Sequence, residues 1–153
     1  MSVVEGTSMT AQQRKEAYKD EGYRFMAAAF EVYNQLGFGM AEEIYQESVE
    51  IELELRGIPF ESKRPLTAAY KGRVLEKRYF PDLFVFGCLV VEIKAVTELL
   101  SEHEAQLYNY LRITKQPVGY LVNFGTPSKL QWKRLILSEF VGEPRTEIID
   151  THP

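Results

Sequence analysis

The sequence predicts an α/β (α+β) domain in which a central mixed β-sheet of four to five strands is flanked by helices. Three observations lead to this prediction. Two stretches near the amino terminus have helical periodicity, residues 60–96 have the composition and turn signals of successive strands, and residues 88–124 follow the order strand, helix, strand. Such a unit usually forms a right-handed crossover, so we expect strand 118–124 to lie parallel to the strand that begins at residue 88.

Length and composition fit one domain. The chain has 153 residues, of which 45% are hydrophobic and 26% are charged, as is typical of a globular protein with a core of its own. We expect residues 1–11 to be a flexible amino-terminal segment, residues 12–140 to form a single domain and residues 141–153 to be a tail. No run of about 18 apolar residues occurs, and the first residues have no continuous apolar core, so we expect neither a transmembrane helix nor a secretory signal.

The formal net charge of −4 and the isoelectric point of about 5.3 argue against a broad electrostatic grip on nucleic acid, although they leave room for a local basic patch. The basic residues are dispersed, and we expect most of them to be solvated surface. A single cysteine, Cys88, excludes an internal disulfide and suits a reducing compartment, so we expect a cytoplasmic protein. We expect Cys88 itself to be a small buried residue beside a turn.

Two helices open the domain. Aromatic and apolar residues recur at steps of three and four from Gln12 to about Leu36, and Gly37-Phe38-Gly39 breaks the pattern. Residues 40 to about 56 resume a helix that Gly57-Ile58-Pro59 ends. Glu42 lies in the first turn of this second helix, where the macrodipole favours carboxylates; spacing alone favours that structural explanation over a chemical role.

A run of strands follows. Lys71-Gly72 is a turn signal. Pro81 cannot donate a ladder hydrogen bond, so we expect an edge or a bulge beside Asp82. The sequence predicts four strands, at Leu66–Tyr70, Arg73–Lys77, about Arg78 to Phe86, and Cys88 to Val96.

The third helix is predicted to begin at a capping box, with Ser101 as N-cap and Glu104 as N3, and to run to about Ile113 or Thr114. His103, at the start of this helix, is expected to be a surface or capping residue rather than a metal ligand. The apolar stretch that ends at Phe124 predicts a buried strand, and Trp132 to Phe140 is expected to form a final strand or a short helix.

An unusual pair of carboxylates lies in the predicted hairpin around Gly87. In the strand after the turn, Glu92 and Lys94 point to one face while the intervening residues are apolar. A hairpin centred near Gly87 sets Asp82 about opposite Glu92, where like charges repel. Either one carboxyl is protonated or a divalent cation lies between the two; an ion-paired strand face exposed to solvent is the plain structural alternative.

The residues around this pair resemble the PD-(D/E)XK nuclease superfamily. Pro81-Asp82 is followed ten residues on by Glu92-Ile93-Lys94, which fits the motif of that superfamily. The stretch from Gly39 to Tyr45 fits the GxxExxY signature of a small bacterial family, and Gln106-x-x-x-Tyr110 resembles the QxxxY motif of the exonuclease-type branch. The resemblance spans roughly residues 25–137 and includes two later blocks, His103–Leu107 and Leu121–Phe124.

This resemblance implies a restriction-endonuclease-like core and metal-dependent hydrolysis of phosphodiester bonds in DNA or RNA. A hard cation, Mg²⁺ or Mn²⁺, would take oxygen ligands from Asp82, Glu92 and the Ile93 carbonyl, with Glu42 adding a carboxylate directly or through water. Lys94 would orient water or stabilise transition-state charge. The resemblance implies that a further pair, Gln106 and Tyr110, positions the scissile phosphate or the Lys94 amine.

Two other functions are compatible with the same residues. A catalytically degenerate member of the superfamily would act as a nucleic-acid or protein-binding module, which the acidic isoelectric point favours. A metal-dependent hydrolase of another class would act on small esters instead of polymers. A homodimer or a protein partner that contributes basic surface is compatible with each of these functions, and no membrane partner is expected.

Overall fold

The computed structural model describes residue 12 and residues 16–141. The expected flexible segment 1–11 and, apart from residue 141, the expected tail lie outside the described residues. The helices are α1 (Lys19–Leu36), α2 (Glu42–Leu55) and α3 (Ser101–Thr114). The strands are β1 (Phe60–Ser62), β2 (Leu66–Tyr70), β3 (Arg73–Tyr79), β4 (Leu83–Val85), β5 (Leu89–Lys94), β6 (Val118–Asn123) and β7 (Gln131–Ile136), and a 3₁₀ turn follows at Ser138–Phe140.

The central sheet has five strands in the order β1-β4-β5-β6-β7. β5 and β6 are parallel, from Leu89 opposite Val118 to Lys94 opposite Asn123, and the other neighbours are antiparallel. The predicted mixed sheet and the parallel crossover through α3 are therefore confirmed. The segment after β6 forms both alternatives that the sequence left open, a strand and a short helical turn.

Each face of the sheet carries its own apolar core, so the domain has three layers. On one face, Leu89, Val91 and Ile93 of β5 pack with the buried side chains of α1 and α2. On the other face, Val90 packs with the buried residues of α3, such as Leu107. The alternation predicted for β5 is thus confirmed, and it directs Glu92 to the same face as Val90.

The expected strand from Arg78 to Phe86 is wrong. β3 ends at Tyr79, β4 begins at Leu83, and β2 and β3 form a separate two-stranded sheet. The reason is Pro81: it lacks the N–H that a continuous strand would need, so the chain leaves one sheet and enters another around it. β4 is not an edge strand either, because it pairs with β1 on one side and β5 on the other.

Two helix starts also differ from the prediction. Gln12 and Glu16 are helical, as predicted, but the chain turns at Ala17 and Tyr18 (φ 51°), so that α1 begins at Lys19 instead of continuing from Gln12. The predicted capping box on Ser101 and Glu104 is wrong, because α3 begins one residue earlier than expected, with Leu100 as N-cap. Its N3 residue is therefore His103, whose Nδ1 accepts a hydrogen bond from the Leu100 amide at 3.0 Å, which confirms the capping role expected for His103.

Two further features concern the described helices and the single thiol. None of the described helices combines the length and apolarity needed to cross a lipid bilayer.

Cys88 is fully buried next to the β4–β5 turn, as predicted, and burial raises the pKa of its thiol to about 12. A thiol of that pKa stays protonated at neutral pH, so Cys88 acts as a small core residue.

Candidate active site

The β4–β5 hairpin sets the geometry of the candidate site. Its turn has two consecutive residues with positive φ, Phe86 (58°) and Gly87 (67°), and the Cys88 amide donates to the Val85 carbonyl at 3.1 Å. The register runs from Val85 opposite Leu89 to Leu83 opposite Val91. Continued by one residue, this register sets Asp82 opposite Glu92, in agreement with the sequence-based expectation.

Beyond the last backbone pair of β4 and β5, the side chains of Asp82 and Glu92 accept hydrogen bonds from backbone amides of the opposite strand segment. The Asp82 amide donates to Oε1 of Glu92 at 2.9 Å, and the Ile93 amide donates to Oδ2 of Asp82 at 2.7 Å. Both residues are buried, with 8% and 5% of their surfaces exposed. Each carboxylate therefore has one oxygen committed to a backbone amide, which fixes the orientation of both side chains.

The second oxygen of each carboxylate faces a lysine. Nζ of Lys63 lies 3.7 Å from Oδ1 of Asp82, and Nζ of Lys94 lies 3.7 Å from Oε2 of Glu92. Both distances exceed the usual hydrogen-bond length. The two ammonium groups therefore offset part of the negative charge of the carboxylates but do not form hydrogen bonds with these oxygens. The solvent-exposed ion-paired face considered from the sequence is excluded for Glu92, which is buried.

The pKa values of the acidic residues reflect a crowded, poorly solvated site. Burial and then the nearby Asp82 charge raise the pKa of Glu92 to about 8. Burial also raises the pKa of Asp82, against the opposing effects of the Ile93 amide and Lys63. Without a cation the pair therefore favours holding a proton near neutral pH, as expected when two carboxylates share a buried site.

Glu42 extends the site from the first turn of α2. Burial raises its pKa, Lys94 lowers it and Asp82 raises it, so the Glu42 carboxylate lies within electrostatic reach of both hairpin residues. The N-cap of α2, Ala41, has no side chain that can cap the helix. The Glu42 carboxylate therefore also stabilises the helix through its interaction with the macrodipole. Within residues 16–141, no three His, Cys, Asp or Glu side chains already form a metal-binding cluster.

The donor set around Asp82 and Glu92 nevertheless fits a hard divalent cation. Magnesium is commonly held by one or two carboxylates together with waters and substrate phosphates, so two fixed carboxylates suffice. The Ile93 carbonyl points to the same side as its amide, towards Asp82. Continued further, the register sets Pro81 opposite Ile93, and proline has no N–H to occupy that carbonyl.

Gln106 and Tyr110 lie on the α3 side of the site. Nε2 of Gln106 donates to the Tyr110 hydroxyl at 2.6 Å, and the Tyr110 ring packs edge-on against Tyr79 with centroids 6.0 Å apart. Burial and the charge of Glu92 raise the pKa of Tyr110 to about 12, so its hydroxyl stays protonated and able to donate. The structure thus brings the Gln106–Tyr110 pair to the same side of the sheet as Glu92.

Two residues that the sequence analysis did not assign to the site support Asp82 from behind. The Asp82 carbonyl accepts one hydrogen bond from buried Gln46 Nε2 at 3.0 Å and another from the Lys63 amide at 3.1 Å. Gln46 also donates to Glu50 at 2.8 Å. For Gln46, the only sequence signal was its position one turn after Glu42 on α2. Lys63 is one of the dispersed basic residues, most of which were expected to be solvated surface.

Comparison with known proteins identifies the family. A family model described as the PD-(D/E)XK nuclease superfamily matches residues 19–135. Among solved structures, the crystal structure of a protein named SSO0001 matches with a TM-score of 0.53 at 20% sequence identity, over 83% of this chain and 64% of that chain. This likeness concerns the fold, and the chain spans less than two thirds of that protein. No curated protein matches the sequence.

Proposed function

Because the chain belongs to the PD-(D/E)XK nuclease superfamily, we propose that it is a metal-dependent nuclease that hydrolyses phosphodiester bonds in DNA or RNA. The observation that carries the proposal is the reciprocal bonding of Asp82 and Glu92. It holds two buried carboxylates in a fixed orientation beside the Lys94 ammonium, at a cost in electrostatic repulsion that a bound cation would relieve.

Asp82 and Glu92 would hold the ion, with the Ile93 carbonyl as a backbone ligand and Glu42 as a carboxylate that acts directly or through water. Mg²⁺ or Mn²⁺ suits this all-oxygen set. A bound divalent ion would supply Lewis acidity at a phosphate oxygen and at water. The fixed hairpin contributes preorganisation, because neither carboxylate has to turn before it can bind.

Lys94 is the proposed positively charged group at the reacting phosphate. Its ammonium lies 3.7 Å from Glu92 Oε2. Its side chain is also 23% exposed, so a substrate that enters from solvent could reach it. A positioned ammonium would orient water or stabilise charge on the transferred group. The protonated Tyr110 hydroxyl, held by Gln106, would donate to a phosphate oxygen from the α3 side.

We further propose membership of the GxxExxY group. In that motif Gly39 has φ 99°, a conformation that favours glycine, and the Tyr45 hydroxyl donates to the Gly37 carbonyl at 2.7 Å. The Tyr45 ring stacks on Phe124 at 4.6 Å between centroids. Gly39 and Tyr45 thereby support the loop that leads into Glu42. All three specified residues of the motif would then contribute to the position of the Glu42 carboxylate.

A catalytically degenerate nucleic-acid or protein-binding module is the second candidate function, and the formal net charge of −4 favours it. Such a module would tolerate loss of Lys94. In either function we propose a single domain, with a cytoplasmic location that suits the one buried thiol. A homodimer or a protein partner would be a natural source of additional basic surface.

The test compares wild type with Asp82→Asn and Lys94→Ala on single- and double-stranded DNA and RNA with Mg²⁺ or Mn²⁺. Asn retains an oxygen for the Ile93 amide, so the fold should persist. We expect cleavage by wild type to fall by at least about a hundredfold in both variants, in line with losses of single electrostatic catalytic groups. Mn²⁺ titration by calorimetry should show weaker binding to Asp82→Asn only.

Matched controls use exposed residues of the same types, Asp20→Asn in α1 and Lys129→Ala in the β6–β7 loop. Both controls should retain wild-type cleavage and metal binding. A wild-type protein that binds Mn²⁺ yet leaves every polymer intact would support the binding-module alternative. If wild type instead cleaved small phosphate esters and no polymer, the hydrolase of another class would be the better description.

A further inference from the structure

A two-stranded ribbon projects from the domain next to the candidate site. β2 and β3 pair only with each other and are joined by a turn at Lys71 (φ 49°) and Gly72 (φ 77°). Residues 73–77 of β3 are all exposed. At about 3.3 Å per residue, the seven residues of β3 extend about 20 Å, so the turn lies about that far along the ribbon from Tyr79.

The ribbon is anchored at its base. Leu66 is buried in the core on the α3 side of the sheet, and Tyr79, its partner across the ribbon, packs against Tyr110. An isolated hairpin has marginal stability in water, so these contacts are what hold the ribbon in place. The distal half is exposed, and the side chains of Tyr70 and Val74 are 64% and 66% exposed.

The charge of the ribbon is opposite to that of the whole chain. Residues 66–79 contain four basic residues and one acidic residue, whereas the formal net charge of the chain is −4. Three of the cations, Lys71, Arg73 and Lys77, form no ion pair with any residue in the described part of the chain. Cations without acidic partners on a protruding element are the electrostatic footprint of contact with phosphates.

The ribbon leads directly to the proposed catalytic residues. The Lys77 ammonium lies 5.7 Å from the centroid of the Tyr79 ring, and Tyr79 contacts Tyr110, which lies within electrostatic reach of Glu92. A polymer whose backbone crossed Glu92 would therefore continue past Lys77 towards the turn. Contacts from Lys77 through Tyr79 to Tyr110 thus connect the ribbon to the candidate site.

We propose that the β2–β3 ribbon is a binding arm for duplex DNA that enters the major groove while the adjoining backbone lies over Glu92 and Lys94; this rests on the proposed nuclease function. Two strands about 4.8 Å apart, with their side chains, fit a groove about 12 Å wide. The deep, narrow major groove of double-stranded RNA would exclude the ribbon. A single strand offers no groove and would contact fewer of the cations.

The test measures equilibrium binding to a fluorescent DNA duplex, in Ca²⁺ or EDTA to prevent cleavage, across a range of salt concentrations. The ribbon variant combines Lys71→Asn, Arg73→Gln and Lys77→Gln. The matched control combines Lys115→Asn, Lys19→Gln and Lys129→Gln, which removes the same charge from other elements. Asn is used at Lys71 and Lys115 because both have left-handed backbone conformations, at φ 49° and 54°, which asparagine tolerates.

We expect the ribbon variant to bind DNA duplex at least about tenfold more weakly near 100 mM salt and to reduce the slope of log K against log salt by about 0.9 for each phosphate that the ribbon no longer neutralises. The control should stay within about threefold of wild type. Mn²⁺ binding and thermal unfolding should be unchanged in both, because neither variant touches Asp82 or Glu92. Wild type should prefer duplex DNA over duplex RNA and single strands.

Equal affinity of the ribbon variant and wild type, or equal losses in the ribbon and control variants, would overturn the binding arm. Equal or tighter binding to duplex RNA, or to single strands, would overturn the major-groove assignment. Failure of the nuclease proposal is a separate result. It would appear as unchanged cleavage in Asp82→Asn and Lys94→Ala, or as no cleavage by wild type, with the ribbon-dependent DNA binding still present.

Discussion

The backbone amide of Asp82 donates a 2.9 Å hydrogen bond to Oε1 of Glu92. Ordinarily two acidic side chains on adjacent strands would repel and turn away from each other. In this hairpin the carboxylate of Glu92 satisfies the amide at the point where the β4–β5 ladder stops, and the carboxylate of Asp82 does the same for Ile93. The acidic pair is therefore part of the sheet's hydrogen bonding as well as a candidate metal site, and substitutions should separate the two contributions.

Glu92→Gln and Glu92→Ala should affect the protein differently. Glutamine keeps an oxygen that accepts from the Asp82 amide, so we expect Glu92→Gln to lose metal affinity and cleavage while folding normally. Alanine leaves a buried donor unsatisfied, which costs about 1–3 kcal/mol. Denaturant unfolding of both metal-free variants measures the difference. Equal free energies of unfolding in the two variants would mean that the hydrogen bond from the Asp82 amide to residue 92 does not contribute to stability.

The metal-free protein should lose stability as the pH rises from about 5 to 8. The pKa of Glu92 is about 8 in the folded chain against an ordinary value of 4.5, so in this window the native state holds a proton that the unfolded chain has released. The free energy of unfolding then falls by up to about 1.4 kcal/mol per pH unit for one such group. Urea unfolding in EDTA at several pH values tests this, with Glu92→Gln as the comparison. A slope that is the same in both proteins would contradict the prediction.

Gln46→Ala should weaken the site without removing any proposed ligand. Its amide holds the Asp82 carbonyl at 3.0 Å, and the Lys63 amide shares that carbonyl, so we expect a loss of about 1 kcal/mol in stability and a reduction in cleavage of about tenfold. The control is Gln35→Ala, an exposed glutamine that also bonds a glutamate on its own helix. Cleavage rates and unfolding curves of the two variants would be compared; similar small effects in both would show that Gln46 does not position Asp82.

Tyr110→Phe should separate the hydroxyl from the ring. Phenylalanine keeps the edge-on contact with Tyr79, whereas Gln106 loses its 2.6 Å partner, so we expect a stability change below about 1.5 kcal/mol. If the hydroxyl donates to the substrate, cleavage falls by about tenfold or more with unchanged Mn²⁺ affinity. Tyr108→Phe, on the same helix, is the matched control. Full activity of Tyr110→Phe would restrict Tyr110 to a packing role.

The local parts of the fold and the acidic pair were predictable because they depend on short-range patterns. The alternation in Leu89–Lys94 and the turn at Gly87 determine which face each side chain takes and which residue stands opposite it, and a register follows from turn geometry alone. The helix caps were less predictable. A shift of one residue in the start of α3 moved the N3 position from Glu104 to His103.

By itself the sequence determined the strand–helix–strand crossover, the hairpin that opposes Asp82 and Glu92, and the motif that assigns the family. Only the tertiary structure decided that Gln46, 36 positions away, donates a hydrogen bond to the Asp82 carbonyl. Only the tertiary structure also decided that the expected strand is divided at Pro81 between two sheets, so that β2 and β3 form a separate basic ribbon beside the site. The reason is physical: periodicity and turns act between neighbours along the chain, whereas the Gln46 contact depends on how α2 packs on the sheet, and the place of the ribbon depends on the packing of Leu66 and Tyr79 on the α3 side.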